Sequence, residues 1–224
     1  MAMCRRIMER GRVKEMGFIS SFSFLLDKAN GSRSYSSTLN SSVKTSEAAK
    51  FAAMAEKWWD YEGPYKPLHL MNPTRISFIR SALCQHFRKD PNNARPFEGL
   101  RIIDIGCGGG LLSEVRDPLT TSIDYRCTTA EQLVQEEEHF DAVISLEVIE
   151  HVVDPQEFCK SLAALAIDNG AVFISTINRT IRSYIMAIFA AEYILGWLPR
   201  GTHDWSNLVT PDELVLLMKR ASIL

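Results

Sequence analysis

Short apolar runs recur along the chain, each closed by glycine or by polar residues. Leu100-Arg-Ile-Ile-Asp-Ile105, Phe140-Asp-Ala-Val-Ile-Ser-Leu146 and Ala171-Val-Phe-Ile-Ser-Thr-Ile177 are three of them. Runs of this length, rich in β-branched residues and bounded by turn formers, predict buried strands. A shorter strand is expected over Ser122-Ile-Asp-Tyr-Arg126. Between these runs the apolar residues fall at helical spacing. Residues 46–60 start with a capping Ser46 and place Phe51, Met54 and Trp58 on one face, which predicts a helix. Gly63, Pro64 and Pro67 break it. A second helix is expected from Thr74 to Phe87, after Asn72-Pro73, and Asp90 to Pro96 reads as a loop. Further helices are expected near Ala130 to Glu137, from Gln156 to Ala166 behind Pro155, and over about 211–221. Asp168-Asn-Gly170 is a helix stop.

Strand, loop, helix and strand in succession predict an α/β fold with a parallel sheet. One interval is short. Only 34 residues run from Gly106 to His139. Each parallel crossover needs about a dozen residues and each βαβ unit about 30 or more. The helix opened at Leu111 is interrupted at once by Asp117-Pro118. The interval therefore holds one strand and one helix, about one strand–helix unit too few.

Composition changes this picture at one end only. The chain has 224 residues, 46% hydrophobic and 23% charged, with a net charge of −2. That fits one domain plus a tail and gives no overall attraction to nucleic acid. Cys4, Cys84, Cys107, Cys127 and Cys159 are scattered, which suits free thiols in a reducing compartment and argues against a zinc site. No run of about 18 uncharged apolar residues is present, so a spanning helix is not expected. Residues 1–45 carry eight Arg and Lys against Glu9, Glu15 and Asp27, with many serines. An Arg- and Ser-rich, acid-poor start reads as an organellar transit peptide; the plainer reading is a disordered basic tail.

The candidate chemistry begins at Gly106-Cys-Gly-Gly-Gly110, between the first body strand and a helix start. Glycines there let the backbone approach a ligand and adopt positive φ. That placement suits an adenosine-containing cofactor at the carboxyl end of a strand. The loop lacks full G-x-G-x-x-G spacing, because Leu111 stands three residues after Gly108. A dinucleotide-dependent oxidoreductase is therefore a distant reading. Glu147, Glu150 and His151 are spaced i, i+3, i+4 after the Phe140–Leu146 run, which would cluster them on one side of a helical turn. Two carboxylates are hard ligands suited to Mg²⁺. A capped, solvated polar loop is the alternative, and His151 is equally a candidate general base.

Taken with Phe51-Ala-Ala-Met-Ala-Glu-Lys-Trp-Trp-Asp60, Lys66-Pro-Leu-His69, Met71-Asn-Pro-Thr-Arg75, Asp104-Ile-Gly-Cys-Gly-Gly-Gly110, Ser145-Leu-Glu-Val-Ile-Glu-His151, Ser175-Thr-Ile-Asn-Arg179 and Leu198-Pro-Arg-Gly-Thr-His203, the chain resembles the ubiquinone-biosynthesis O-methyltransferases over most of 46–223. The resemblance implies a Rossmann-like class I methyltransferase three-layer α/β sandwich over 46–224, with S-adenosyl-L-methionine as cofactor. It implies methyl transfer to a ring hydroxyl of a polyprenylated dihydroxybenzoate or demethylubiquinol. By the resemblance Gly106 lies against the cofactor, Arg75 holds its carboxylate end, Leu146 sits near the adenine, and Glu147, Glu150 and His151 hold magnesium. It also implies a peripheral place on the matrix side of the mitochondrial inner membrane and a quinone-biosynthesis complex as partner.

Two departures follow from the same resemblance. A βαβ unit, with the acid that binds the ribose hydroxyls, is missing at the Glu114–Val115 seam, and the sheet strands expected after Leu224 are absent, so the sheet is expected to be incomplete. Asp124, 18 residues after Gly106, is near the usual ribose-acid spacing of about 20, but reads better as a strand-surface carboxylate. Weak or absent S-adenosylmethionine binding is therefore expected, and the second reading is an impaired family member that serves only as a partner in the complex. Residues 178–205 are strongly apolar and flanked by Arg179, Arg182 and Arg200. They read either as an interfacial helix that collects a lipid-tailed substrate or as a buried core helix.

Overall fold

The structure is a computed structural model and describes residues 18–21, 57–63, 65–112, 123–180 and 207–224, the first of these as backbone. Most of the expected helix at 46–60, the Glu114–Val115 seam and all but the start of segment 178–205 lie outside the described residues. The elements in chain order are β1 (Phe18–Ser21), α1 (Lys66–His86), β2 (Ile102–Ile105), β3 (Ile123–Arg126), α2 (Ala130–Gln135), β4 (Phe140–Leu146), α3 (Pro155–Leu165), β5 (Ala166–Ser175) and α4 (Pro211–Arg220).

The five strands form one parallel sheet in the order β3-β1-β2-β4-β5. Helices cover both faces, which is why β2 is buried along its whole length, Asp104 included. Ile103, Ile105 and Val143 pack with Leu133 of α2 and with Phe158, Leu162 and Leu165 of α3 on one face. Ile102, Ala142 and Ile144 pack with Ile79 and Leu83 of α1 on the other. Successive residues of a strand point to opposite faces, so β2 and β4 supply both cores at once. The result is the three-layer Rossmann-like arrangement expected, with a sheet that ends at β5 among the described residues.

Local chemistry fixes the helix ends. Asp154 accepts from the backbone N–H groups of Gln156 and Glu157 at the start of α3, with Pro155 in the first turn. Thr210 and Glu213 form a reciprocal capping box on α4. Two boundaries differ from expectation. α1 begins at Lys66 rather than Thr74, with Pro67 in its first turn and Pro73 inside it. Proline is tolerated in a first turn, where the backbone N–H has no helical partner anyway. At Pro73 one ladder bond is absent, and tertiary anchoring by the adjacent Asn72, whose Nδ2 donates to Leu111 O at 2.5 Å, holds the helix together. β5 begins at Ala166, directly after α3, rather than at Ala171. Its first pairing is Phe140↔Ala166 and the next is Ala142↔Ala171. The expected helix stop at Asp168–Gly170 is thus a bulge within a strand, with Asn169 at φ +60°.

The largest difference is at the amino terminus. Phe18–Ser21, inside the stretch read as transit peptide or disordered tail, forms an interior strand between β2 and β3.

Candidate functional site

The site is built on the carboxyl ends of β2, β4 and β5, where parallel α/β sheets present their ligand crevice. After Ile105 the chain turns through Gly106 at φ +76° and Gly108 at φ +57°. A Cβ on Gly106 would lie 2.5 Å from Val148 Cγ2, and one on Gly108 would lie 2.5 Å from Trp58 Cη2. Both positions need glycine twice over, for the left-handed backbone and for space.

The loop is collared by the segment before α1. Trp59 Nε1 donates to Gly109 O at 3.1 Å. The Trp58 and Tyr65 rings stack with centroids 3.8 Å apart and planes 7° from parallel. His69 Nε2 donates to Trp58 O at 2.8 Å. Both Trp58 and Tyr65 are buried, and burial pushes the Tyr65 hydroxyl up to about 12. The Trp-Trp-Asp and Lys-Pro-Leu-His segments therefore shape the loop from outside. The sequence reading used these segments for recognition and missed this packing role; no periodicity links a tryptophan to a glycine fifty residues later.

Leu146 closes β4, half-buried, beside the next cluster. Glu147 sits at φ +52°. Its N–H donates to Ser175 O at 3.0 Å, its Oε1 accepts from Ser175 Oγ at 2.6 Å, and its Oε2 is ion-paired with Arg75 Nη2 from α1. A short 3-10 turn follows over Ile149–His151. Glu150 is only 3% exposed. Its Oε2 accepts from Thr176 Oγ1 at 3.1 Å, while its Oε1 is buried without a partner. Burial pushes the Glu150 carboxyl up to about 7, with the negative charge of Glu147 adding to the rise. His151 is half-buried, and its N–H donates to Val148 O at 2.9 Å. Val148, which touches Gly106, ties this turn to the glycine loop.

The structure thus brings Gly106, Leu146, Glu147 and Glu150 to one end of the sheet and adds Arg75 from the helical layer. It does not assemble the expected magnesium set. Glu147 is left-handed and outside the 3-10 turn, so the i, i+3, i+4 reasoning, which assumed one helical turn, does not apply. Glu147 turns to Arg75 and Ser175, and Glu150 turns inward to Thr176. Among the described residues no group of three His, Cys, Asp or Glu side chains could hold a metal ion. The arrangement does not fit magnesium. Arg75, expected to hold a cofactor carboxylate, is held by a protein carboxylate. Asp124 Oδ2 accepts from Arg126 Nε at 2.8 Å on the sheet surface, the structural role expected of it.

Comparison with known proteins agrees with this architecture. A family profile described as a methyltransferase domain matches residues 74–222. The ubiquinone biosynthesis O-methyltransferase, mitochondrial, of Arabidopsis thaliana is 56% identical over 221 residues, covering 87% of this chain and 68% of the relative. The ubiquinone biosynthesis O-methyltransferase of Parvibaculum lavamentivorans is 47% identical over 198 residues, 78% of each chain. That of Ruegeria pomeroyi is 45% identical over 205 residues, 81% of this chain and 83% of the relative. In the Arabidopsis match 87% of 224 residues is about 195, so about 26 of the 221 aligned positions face no residue here. That shortfall is close in size to the strand–helix unit expected to be missing. The chain belongs to the ubiquinone biosynthesis O-methyltransferase family.

Proposed function

We propose that the chain is an S-adenosylmethionine-dependent O-methyltransferase of ubiquinone biosynthesis. The acceptor is a ring hydroxyl of a polyprenylated dihydroxybenzoate or demethylubiquinol. The observation that carries this reading is the glycine loop at the end of β2, with Gly106 and Gly108 at positive φ, inside a chain of this family. The left-handed turn at Gly106 and Gly108, at the carboxyl end of β2, fits a nucleoside-containing ligand at that end of the sheet. When bound, S-adenosylmethionine supplies an electrophilic methyl carbon on a positively charged sulfur.

The residues divide the remaining work. Gly106 admits the ligand closely, and Leu146 bounds the β4 side of the crevice. Arg75 is the cation at the site, and the Ser175–Glu147 pair fixes its guanidinium for the cofactor's carboxylate. His151 is the base for the phenolic proton, which it takes as the ring oxygen forms its bond to carbon and the carbon–sulfur bond breaks. Holding the oxygen in line with that bond is the larger part of the rate enhancement. Magnesium has no step in this reading, because Glu147 is committed to Arg75 and Ser175 and Glu150 to Thr176.

The weak side of the pocket is the ribose wall. The strand beside β2 is Phe18-Ile-Ser-Ser21 and contains no acid. Binding of S-adenosylmethionine weaker than low micromolar follows, measured by calorimetric titration; low-micromolar binding to the chain as it stands would overturn this. Methyl transfer to a short-tailed acceptor, compared before and after restoring the missing unit at Glu114–Val115, separates an enzyme with an impaired cofactor site from a partner that only joins a quinone-biosynthesis complex. By analogy with the mitochondrial relative we place the chain in the mitochondrion, peripheral to the matrix face of the inner membrane. Among the described residues no helix is long and apolar enough to cross a membrane.

A further inference from the structure

β1 is an interior strand. Phe18–Ser21 pairs in parallel with Ile102–Ile105 on one side and with Ile123–Arg126 on the other, four residues in register on each. Among the described residues β3 has no other strand partner in the sheet order β3-β1-β2-β4-β5. Take β1 away, and β3 is detached while β2, whose four residues are all buried, becomes an edge with a row of open backbone groups.

The sequence around β1 is suited to this role. Gly17-Phe-Ile-Ser-Ser-Phe-Ser-Phe-Leu-Leu26 is uncharged and carries three phenylalanines and Ile19, set among the basic residues of the first 45. Only 17 residues separate Ile105 of β2 from Ile123 of β3, and a chain that short cannot supply another strand and crossover helix there. The position between β2 and β3 is filled instead from the amino terminus.

We propose that Phe18–Ser21 is a permanent strand of the working protein, drawn from the leader-like stretch, and that leader removal must therefore stop before Phe18. This rests on the reading of residues 1–45 as a mitochondrial leader. A cut beyond Ser21 would remove an interior strand and disconnect β3. The amino-terminal segment thus serves both as address and as part of the sheet, and the processing position decides whether the chain stays folded.

The test uses the full chain, a chain starting at residue 14 and a chain starting at residue 46, each followed by amide hydrogen exchange and thermal unfolding. The first two are expected to protect Phe18–Ser21 and Ile123–Arg126 alike. The third is expected to lose protection at Ile123–Arg126 by about 100-fold or more and to melt lower. The proposal is overturned if the chain starting at residue 46 keeps the protection and melting temperature of the full chain. It is equally overturned if Phe18–Ser21 in the full chain exchanges at the rate of unstructured peptide. Mass spectrometry after incubation with a mitochondrial matrix extract is expected to show a new terminus at or before Phe18. A terminus beyond Ser21 on a chain of unchanged stability overturns the proposal. No cleavage at all agrees with retention of β1 and removes only the leader reading.

Discussion

Burying the Glu150 carboxyl with Oε1 unpartnered makes this residue sensitive to pH. Its folded-state pKa of about 7 lies above the ordinary 4.5, so between those values the folded chain holds a proton that the unfolded chain releases. Stability then falls as pH rises through that window and levels off above it. Glu150→Gln mimics the protonated form and should flatten the profile. At pH above about 7 the variant should be the more stable of the two, by up to roughly 3 kcal/mol, read from melting temperatures across pH. A wild-type chain whose stability is flat or rising from pH 5 to 7 would contradict the burial argument. Arg75 and Glu147 follow a different rule. Each is part-buried and each has a fixed partner, so their ion pair behaves as a positioned unit with Ser175 rather than as loose surface charge.

At the scale of elements, the glycine loop and its aromatic collar act as one part. Gly108→Ala puts a side chain on a left-handed residue, which costs about 1–2 kcal/mol, and drives it into Trp58. The variant should melt lower and shift its tryptophan emission as Trp58 moves, whereas unchanged emission would mean that the collar does not lean on the loop. Elements were legible where their signals are local. Phe140–Leu146 was bounded correctly because a strand buried on both faces is a mostly apolar run, here ended by the charged Glu147. α3 was legible through Asp154 and Pro155. Pro73 misled the start of α1, because the anchoring of Asn72 to Leu111 that accompanies it is a tertiary contact. The tight 3-10 turn that separates Glu147 from Glu150 has no sequence signal stronger than the helical spacing it imitates.

For the whole molecule, the parallel sheet, both helical layers and the cofactor end were readable from the order of apolar runs. The shortage of chain between Gly106 and His139 was readable too, as a count. What filled it was not, because the pairing of Phe18–Ser21 with residues about a hundred positions away leaves no local trace, and the basic, serine-rich surroundings point elsewhere. Membrane association also belongs to this scale. The apolar segment 178–205 leaves the sheet just after β5, and its first described residues are tied back by the ion pair of Arg179 with Glu213 on α4. If that segment meets the bilayer, Ile188→Glu with Phe189→Glu should abolish sedimentation with liposomes resembling the inner membrane; unimpaired sedimentation would point to a core helix instead.

The bulge at the start of β5 bears on how this site tolerates change in length. Regular pairing resumes at Ala171↔Ala142 and runs to Ser175↔Leu146. Ser175 and Thr176 reach Glu147 and Glu150 because of where that run starts. Ile167–Gly170 lies outside it, and Gly170 packs against Asp141 O and Ile167 O so closely that no side chain fits. The register is already irregular there, so a residue gained or lost at the end of α3 is taken up before Gly170 without turning the strand over. A residue inserted after Ala171 has no such outlet. It would exchange the two faces of the strand from there on and present Ile174 where Ser175 now meets Glu147. The polar end of the site is indexed from Gly170, so a change in length before it leaves Ser175 at Glu147 and a change after it does not.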